Sequence, residues 1–149
     1  MRKALILVIA FLSALGVTGV FLAVAFFGRI PLGEPRLRTE FYPPSPWQVG
    51  PGNSFELSIG IANDAWLLAW AKGIRVTVFM PEGFTSSHTG TNECEINFGA
   101  LHGGDGLGSG LTITVSSNVS PGNYTVIIKV LGENVPERIF TPQVIVLAS

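Results

Sequence analysis

The sequence predicts an all-β sandwich carried behind one N-terminal transmembrane α-helix. Residues 4–27 (ALILVIAFLSALGVTGVFLAVAFF) form an uninterrupted apolar run with no charge and no proline. After residue 47, short runs alternate apolar with polar residues, and Gly, Pro, Asn and Asp punctuate them. No run beyond residue 30 keeps the helical period. The chain therefore divides into a transmembrane signal-anchor helix over 1–28, a Pro-rich linker over 29–47 and a sandwich domain over 48–149.

At about 1.5 Å per residue the apolar run makes a helix of roughly 36 Å, long enough for a hydrocarbon core of about 30 Å. Its Leu, Ile, Val and Phe residues favour insertion, and Ser13, Gly16, Thr18 and Gly19 do not outweigh them. Arg2 and Lys3 precede the helix while Arg29, Arg36 and Arg38 follow it, so the flanking charge is nearly balanced. The reading adopted is an uncleaved single-pass anchor in the cell membrane, N-terminus inside and domain extracytoplasmic. Two processing alternatives stay open. Ala23-Val24-Ala25 fits a signal-peptidase site, although the apolar run before it is long for a signal peptide. The Lys3-Ala4 junction in Arg2-Lys3-Ala4-Leu5-Ile6 resembles the leader-processing motif of archaeal pilin and archaellum proteins. Ala10, Ala14 and Thr18 recur every four residues and form a small-residue face of the kind that lets helices associate.

Pro31, Pro35, Pro43, Pro44 and Pro46 read as an extended, semi-rigid spacer with neither strand nor helix. Past the turn Gly50-Pro51-Gly52-Asn53, the first strand puts Phe55, Leu57, Ile59 and Ile61 on one face and ends at Asn63-Asp64. The second turns Ile74, Val76, Val78 and Met80 inward and Arg75 and Thr77 outward, and Pro81-Glu82-Gly83 stops it. A third spans 95–100 with Ile96 and Phe98 inward, followed by a glycine loop over 102–110. Leu111, Ile113 and Val115 mark a fourth strand, Tyr124, Val126, Ile128 and Val130 a fifth, and 143–147 a last one. Short strands at this spacing read as an antiparallel β-sandwich.

With 149 residues, the chain past the linker suffices for one domain with its own core. A net charge of −1 without a basic stripe excludes a nucleic-acid binder. Cys94 stands alone, so no internal disulfide forms, and a buried strand thiol is the expected state. Asn118-Val119-Ser120 and Asn123-Tyr124-Thr125 are glycosylation sequons compatible with export, and Pro121 makes the first a poorer acceptor.

Several signals occur in order: Pro51-Gly52-Asn53-Ser54-Phe55-Glu56-Leu57, the strand end at Asn63, Gly73-Ile74-Arg75-Val76, Pro81-Glu82-Gly83-Phe84 and Pro121-Gly122-Asn123-Tyr124-Thr125-Val126. In that order they resemble the immunoglobulin-like modules of archaeal and bacterial surface proteins, of the CARDB and NPCBM-associated kinds. The resemblance covers about residues 48–147 and implies an Ig-like sandwich serving as spacer, adhesive unit or carbohydrate-associated appendage, without catalysis. An N-terminal helix before such a sandwich also resembles archaellum stator subunits and minor pilins.

The chain departs from those modules at Ala65-Trp66-Leu67-Leu68-Ala69-Trp70-Ala71, where they carry a short polar connection. Such an apolar loop either folds back into the core or meets a protein partner or the bilayer. Trp66, Leu67, Leu68 and Trp70 are the expected contact residues.

Catalytic and metal chemistry is not legible. His88, Cys94 and His102 are the residue types of a copper site, but their spacing is wrong and no Met follows His102. Gly103-Gly104-Asp105-Gly106 lacks the Lys and the context of a phosphate cradle, and one Asp is too few for calcium. The expectation is a non-enzyme with no cofactor, no metal and no small-molecule ligand. Its partners are the lipid bilayer and other membrane or surface proteins, to which it serves as a structural or accessory subunit. The alternatives are a pilin- or archaellum-like subunit assembling through its helix, and a carbohydrate-binding module using Tyr42, Trp47 and Phe79 as an aromatic platform.

Overall fold

The computed structural model describes residues 33–66 and 69–148. The predicted span over 4–27, the Lys3-Ala4 junction and the contact residues Leu67 and Leu68 lie outside the described residues. Those described contain no helix and are all-β.

Eleven strands follow in order: β1 (Leu37–Tyr42), β2 (Trp47–Val49), β3 (Ser54–Asn63), β4 (Ala71–Phe79), β5 (Phe84–Ser86), β6 (Glu93–Leu101), β7 (Gly106–Val115), β8 (Gly122–Thr125), β9 (Ile127–Gly132), β10 (Val135–Phe140) and β11 (Gln143–Val146). One sheet has the order β1-β3-β7-β5 and the facing one β10-β9-β4-β6. A third, β2-β11-β8, extends the hairpin of β9 and β10 at one end. Register runs through that junction, with Phe140 opposite Ile128 and Gln143 opposite Thr125. Pro142 lacks an N–H, and here the chain bonds only through Val126 N–H to the Pro142 carbonyl, at 3.0 Å.

The core lies between the two four-stranded sheets, as the period-2 pattern requires. Leu57, Ile59 and Ile61 of β3 face Ile74, Val76 and Val78 of β4, all fully buried. Leu111, Ile113, Ile128 and Val130 complete the layer, and Cys94 is buried among the strand residues of β6. Thr77, expected outward, is nevertheless buried: it sits on a central strand, flanked in register by Lys129 and Glu95.

The stretch expected as spacer is a correction. Residues 37–42 form β1, which pairs with β3 over its whole length, Leu37 opposite Asn63 and Tyr42 opposite Ser58. All the prolines of this stretch lie outside the strand, so no ladder donor is missing within it. Its side chains alternate, with Leu37, Thr39 and Phe41 toward the core and Arg38, Glu40 and Tyr42 exposed. Trp47, an expected outward aromatic, is also corrected. β2 pairs parallel with β11, which turns Trp47 inward against Phe55, with Nε1–H donated to the Pro43 carbonyl at 2.7 Å. Phe79 lies under the Lys129 ammonium, 5.3 Å from its ring centroid. Of the three candidate platform aromatics only Tyr42 stands clear, so the platform is not assembled.

The expected glycine loop over 102–110 is likewise shorter. From Gly106 onward the chain is strand, with Gly106 opposite Ala62, Gly108 opposite Gly60 and Gly110 opposite Ser58. Every second residue of β3 directs its N–H and C=O to this side and needs a partner, and that demand outweighs the poor strand propensity of glycine. Two further strands, β5 and the charged β10, carry too little apolar alternation to be read from the sequence.

Candidate functional site

The apolar loop after β3 is built around Asn63, which the sequence marks only as a strand end. Asn63 is fully buried. Its Nδ2 donates to the Ala69 carbonyl at 2.7 Å and the Leu101 carbonyl at 3.2 Å. Its Oδ1 accepts from Arg36 N–H at 3.0 Å and Ala65 N–H at 3.3 Å. A side-chain amide has two donors and two acceptor sites, and all are used. The Asn63 N–H also bonds the Asp105 carbonyl, and the Gly104 N–H bonds the Asn63 carbonyl. The side chain thus ties together the entry to β1, both ends of the loop and the end of β6, and the main chain of the same residue adds the approach to β7.

Two more contacts brace the loop. Trp70, half-buried, stacks on His102 with ring centroids 3.9 Å apart and planes 26° from parallel. Asn134, in the turn between β9 and β10, donates from Nδ2 to the Trp70 carbonyl at 2.7 Å and accepts the Lys72 N–H at 2.8 Å. Within the loop, Ala69 N–H closes a turn onto the Trp66 carbonyl at 2.8 Å. That carbonyl lies against buried Gly103, where a Cβ would come within 1.8 Å of it, so only glycine fits.

The loop divides its apolar residues. Ala69 and Ala71 are buried, whereas Trp66 is 74% exposed. Trp66 does not fold back into the core, and the backbone beneath it is held on three sides. A tryptophan with that much free surface removes up to about 200 Å² from water on docking, or about 5 kcal/mol at about 25 cal/mol per Å² before association costs.

The remaining candidates are scattered. Cys94 Sγ lies 3.8 Å from His88 Nδ1, but His102 stacks on Trp70 and is about 25 Å further along by strand rise, so the copper trio is not assembled. The Asp105 carboxylate accepts the His102 N–H at 3.2 Å and closes its own turn. Among the described residues no group of three His, Cys, Asp or Glu could hold a metal. Asn118 and Asn123 are both exposed, Asn118 in the turn before β8 and Asn123 on β8. Sequence reasoning missed His102 and Asn134 as loop supports, since neither lies near the loop in the chain.

No family profile matches the sequence, and no curated protein matches it. Solved structures do resemble it. The CARDB domain of a Pyrococcus furiosus protein, solved in complex with di-metal ions, superposes with a TM-score of 0.55 at 17% identity, covering 79% of this chain and 93% of that one. A Corynebacterium diphtheriae protein described as membrane anchored gives 0.54 at 8% identity over 80% of this chain and 37% of that one. A family 123 glycoside hydrolase from Clostridium perfringens gives 0.53 at 10% identity over 75% of this chain, which spans only 27% of that enzyme. At these identities the likeness is one of fold: the described residues form a CARDB-like, Ig-like β-sandwich.

Proposed function

We propose that this chain is a membrane-anchored extracytoplasmic module that binds another membrane or surface protein as a structural or accessory subunit. Trp66, held in water by a braced loop, is the observation that carries this reading. A flexible apolar loop would collapse onto the domain, whereas a braced one presents a preorganised anchor at lower entropic cost. The apolar run over 4–27 supplies the membrane tether, and the likeness to a protein described as membrane anchored agrees with that arrangement. The work assigned to the domain is positioning and binding, without catalysis.

Co-purification of the full chain from mild detergent tests the proposal. Trp66→Ser should leave the melting temperature unchanged and release the bound protein. A variant that retains its partner refutes the loop as the contact. Intact mass of the purified N-terminus separates the anchor from its rivals. Cleavage at Lys3-Ala4 would favour the pilin-like alternative, and cleavage after Ala25 would leave a secreted domain.

A further inference from the structure

Among the described residues, the pairing of β7 leaves one stretch of its backbone unbonded. Val115 exchanges hydrogen bonds with Gly52 and Asn53, and the Asp105 carbonyl bonds Asn63, so odd-numbered residues direct N–H and C=O toward β3. Direction alternates along an antiparallel strand, so even-numbered residues point the other way. Thr112 confirms this, accepting from the Ser87 N–H at 2.9 Å and donating to Ser87 Oγ at 3.3 Å. β5, however, pairs only with Ile113, Thr114 and Val115. Gly106, Gly108 and Gly110 therefore turn their donors and acceptors into solvent, and all three residues are exposed.

Three of the other edge strands carry residues that discourage further pairing. β1 has Arg38 and Glu40 and runs into Pro43, β10 has Pro136, Glu137 and Arg138, and β6 has Glu93 and Glu95. The segment Gly106-Leu107-Gly108-Ser109-Gly110 has no charge and no proline, and none of its glycines has a positive φ. Above it the outer sheet face is a shallow groove floored by Gly60 and Gly108, with Glu40 and Tyr42 as its wall. No side chain there blocks an approaching strand.

A row of alternating N–H and C=O dipoles is complementary in charge to another extended backbone, and this row is symmetric about Gly108. We infer that β7 is a homodimer edge, on which a second copy's β7 runs antiparallel. Gly108 then faces Gly108 of the copy and Gly106 faces Gly110, each pair exchanging two hydrogen bonds. Leu107, 50% exposed on the inner face, is covered opposite Ser109 of the copy. The opening has the right length. The copy's chain turns away at Gly104, opposite Thr112, where Ser87 already occupies the edge. Glycine in a strand interior weakens the monomer but marks a place where another backbone comes close.

The test is disulfide trapping in the full chain, in mild detergent and on a Cys94→Ala background. Facing residues of a hydrogen-bonded pair have Cα atoms about 5.5 Å apart, within disulfide reach. Gly108→Cys should therefore give a covalent dimer on oxidation. Gly110→Cys should remain monomeric, because its copies would lie about 13 Å apart along the strand, while mixing it with Gly106→Cys should restore the cross-link. No cross-link at Gly108→Cys, or equal cross-linking at Gly108→Cys and Gly110→Cys, overturns the inference. This dependence on register separates edge pairing from association through any other part of the chain. Gly108→Pro removes an N–H that the monomer does not use. It should keep the melting temperature and lose the dimer in sedimentation, and a dimer that survives it also overturns the inference. Trp66→Ser should leave cross-linking intact, so this pairing and the loop contact fail separately.

Discussion

Two neighbouring stretches at one end of the sandwich contradict their compositions in opposite ways. The stretch 65–71 is apolar and its described residues stand largely outside the sheets, while residues 106–110 are mostly glycine and lie inside one. The loop can stay out because side chains satisfy its backbone: Asn63 bonds Ala65 and Ala69, and Asn134 bonds Trp70. The glycines are drawn in because β3 leaves backbone groups at residues 58–62 that need a partner strand. Hydrogen-bond demand, more than hydrophobicity, decides which segment is strand.

Asn63→Leu should break the contrast most. It leaves the carbonyls of Ala69 and Leu101 and the N–H groups of Arg36 and Ala65 without partners. At about 1–3 kcal/mol for each unsatisfied buried group, partly relieved by water, a loss of about 4 kcal/mol is expected in denaturant unfolding. Gly103→Ala comes next, because its Cβ would collide with the Trp66 carbonyl and the loop must lift. Overpacking of this kind costs about 1–3 kcal/mol, and thermal melting should show it. His102→Ala removes the ring under Trp70 and should cost about 1 kcal/mol, with a change in tryptophan fluorescence reporting that the stack is gone.

The glycine segment should respond in the opposite direction. Gly110→Thr meets nothing within 4 Å and adds a β-branched residue to a strand. It should stabilise the monomer by about 0.5–1 kcal/mol in equilibrium unfolding. If it destabilises instead, the segment is not strand in solution. Trp66→Ser should change stability least of all, within about 0.5 kcal/mol, since the side chain is exposed and its carbonyl is retained.

The central strands were legible because their side chains carry the signal. Leu57, Ile59 and Ile61 and then Ile74, Val76 and Val78 alternate without interruption and are buried as that alternation requires. β1 was obscured by the prolines around it, although Leu37, Thr39 and Phe41 alternate correctly between them. Trp47 could not be placed, because its burial depends on a parallel partner, β11, at the far end of the chain. The site was half legible. Composition singled out the loop containing Trp66, but the three supports that hold it came from other elements.

The sequence by itself determined an all-β sandwich, most of its core faces and the candidate loop, because period-2 alternation and turn residues act over a few neighbouring positions. Only the tertiary structure decided that Asn63 is a buried hub, that His102 lies under Trp70 and that, among the described residues, β7 has a bare glycine edge. Each of these depends on strand register between segments distant in the chain, which no local pattern encodes.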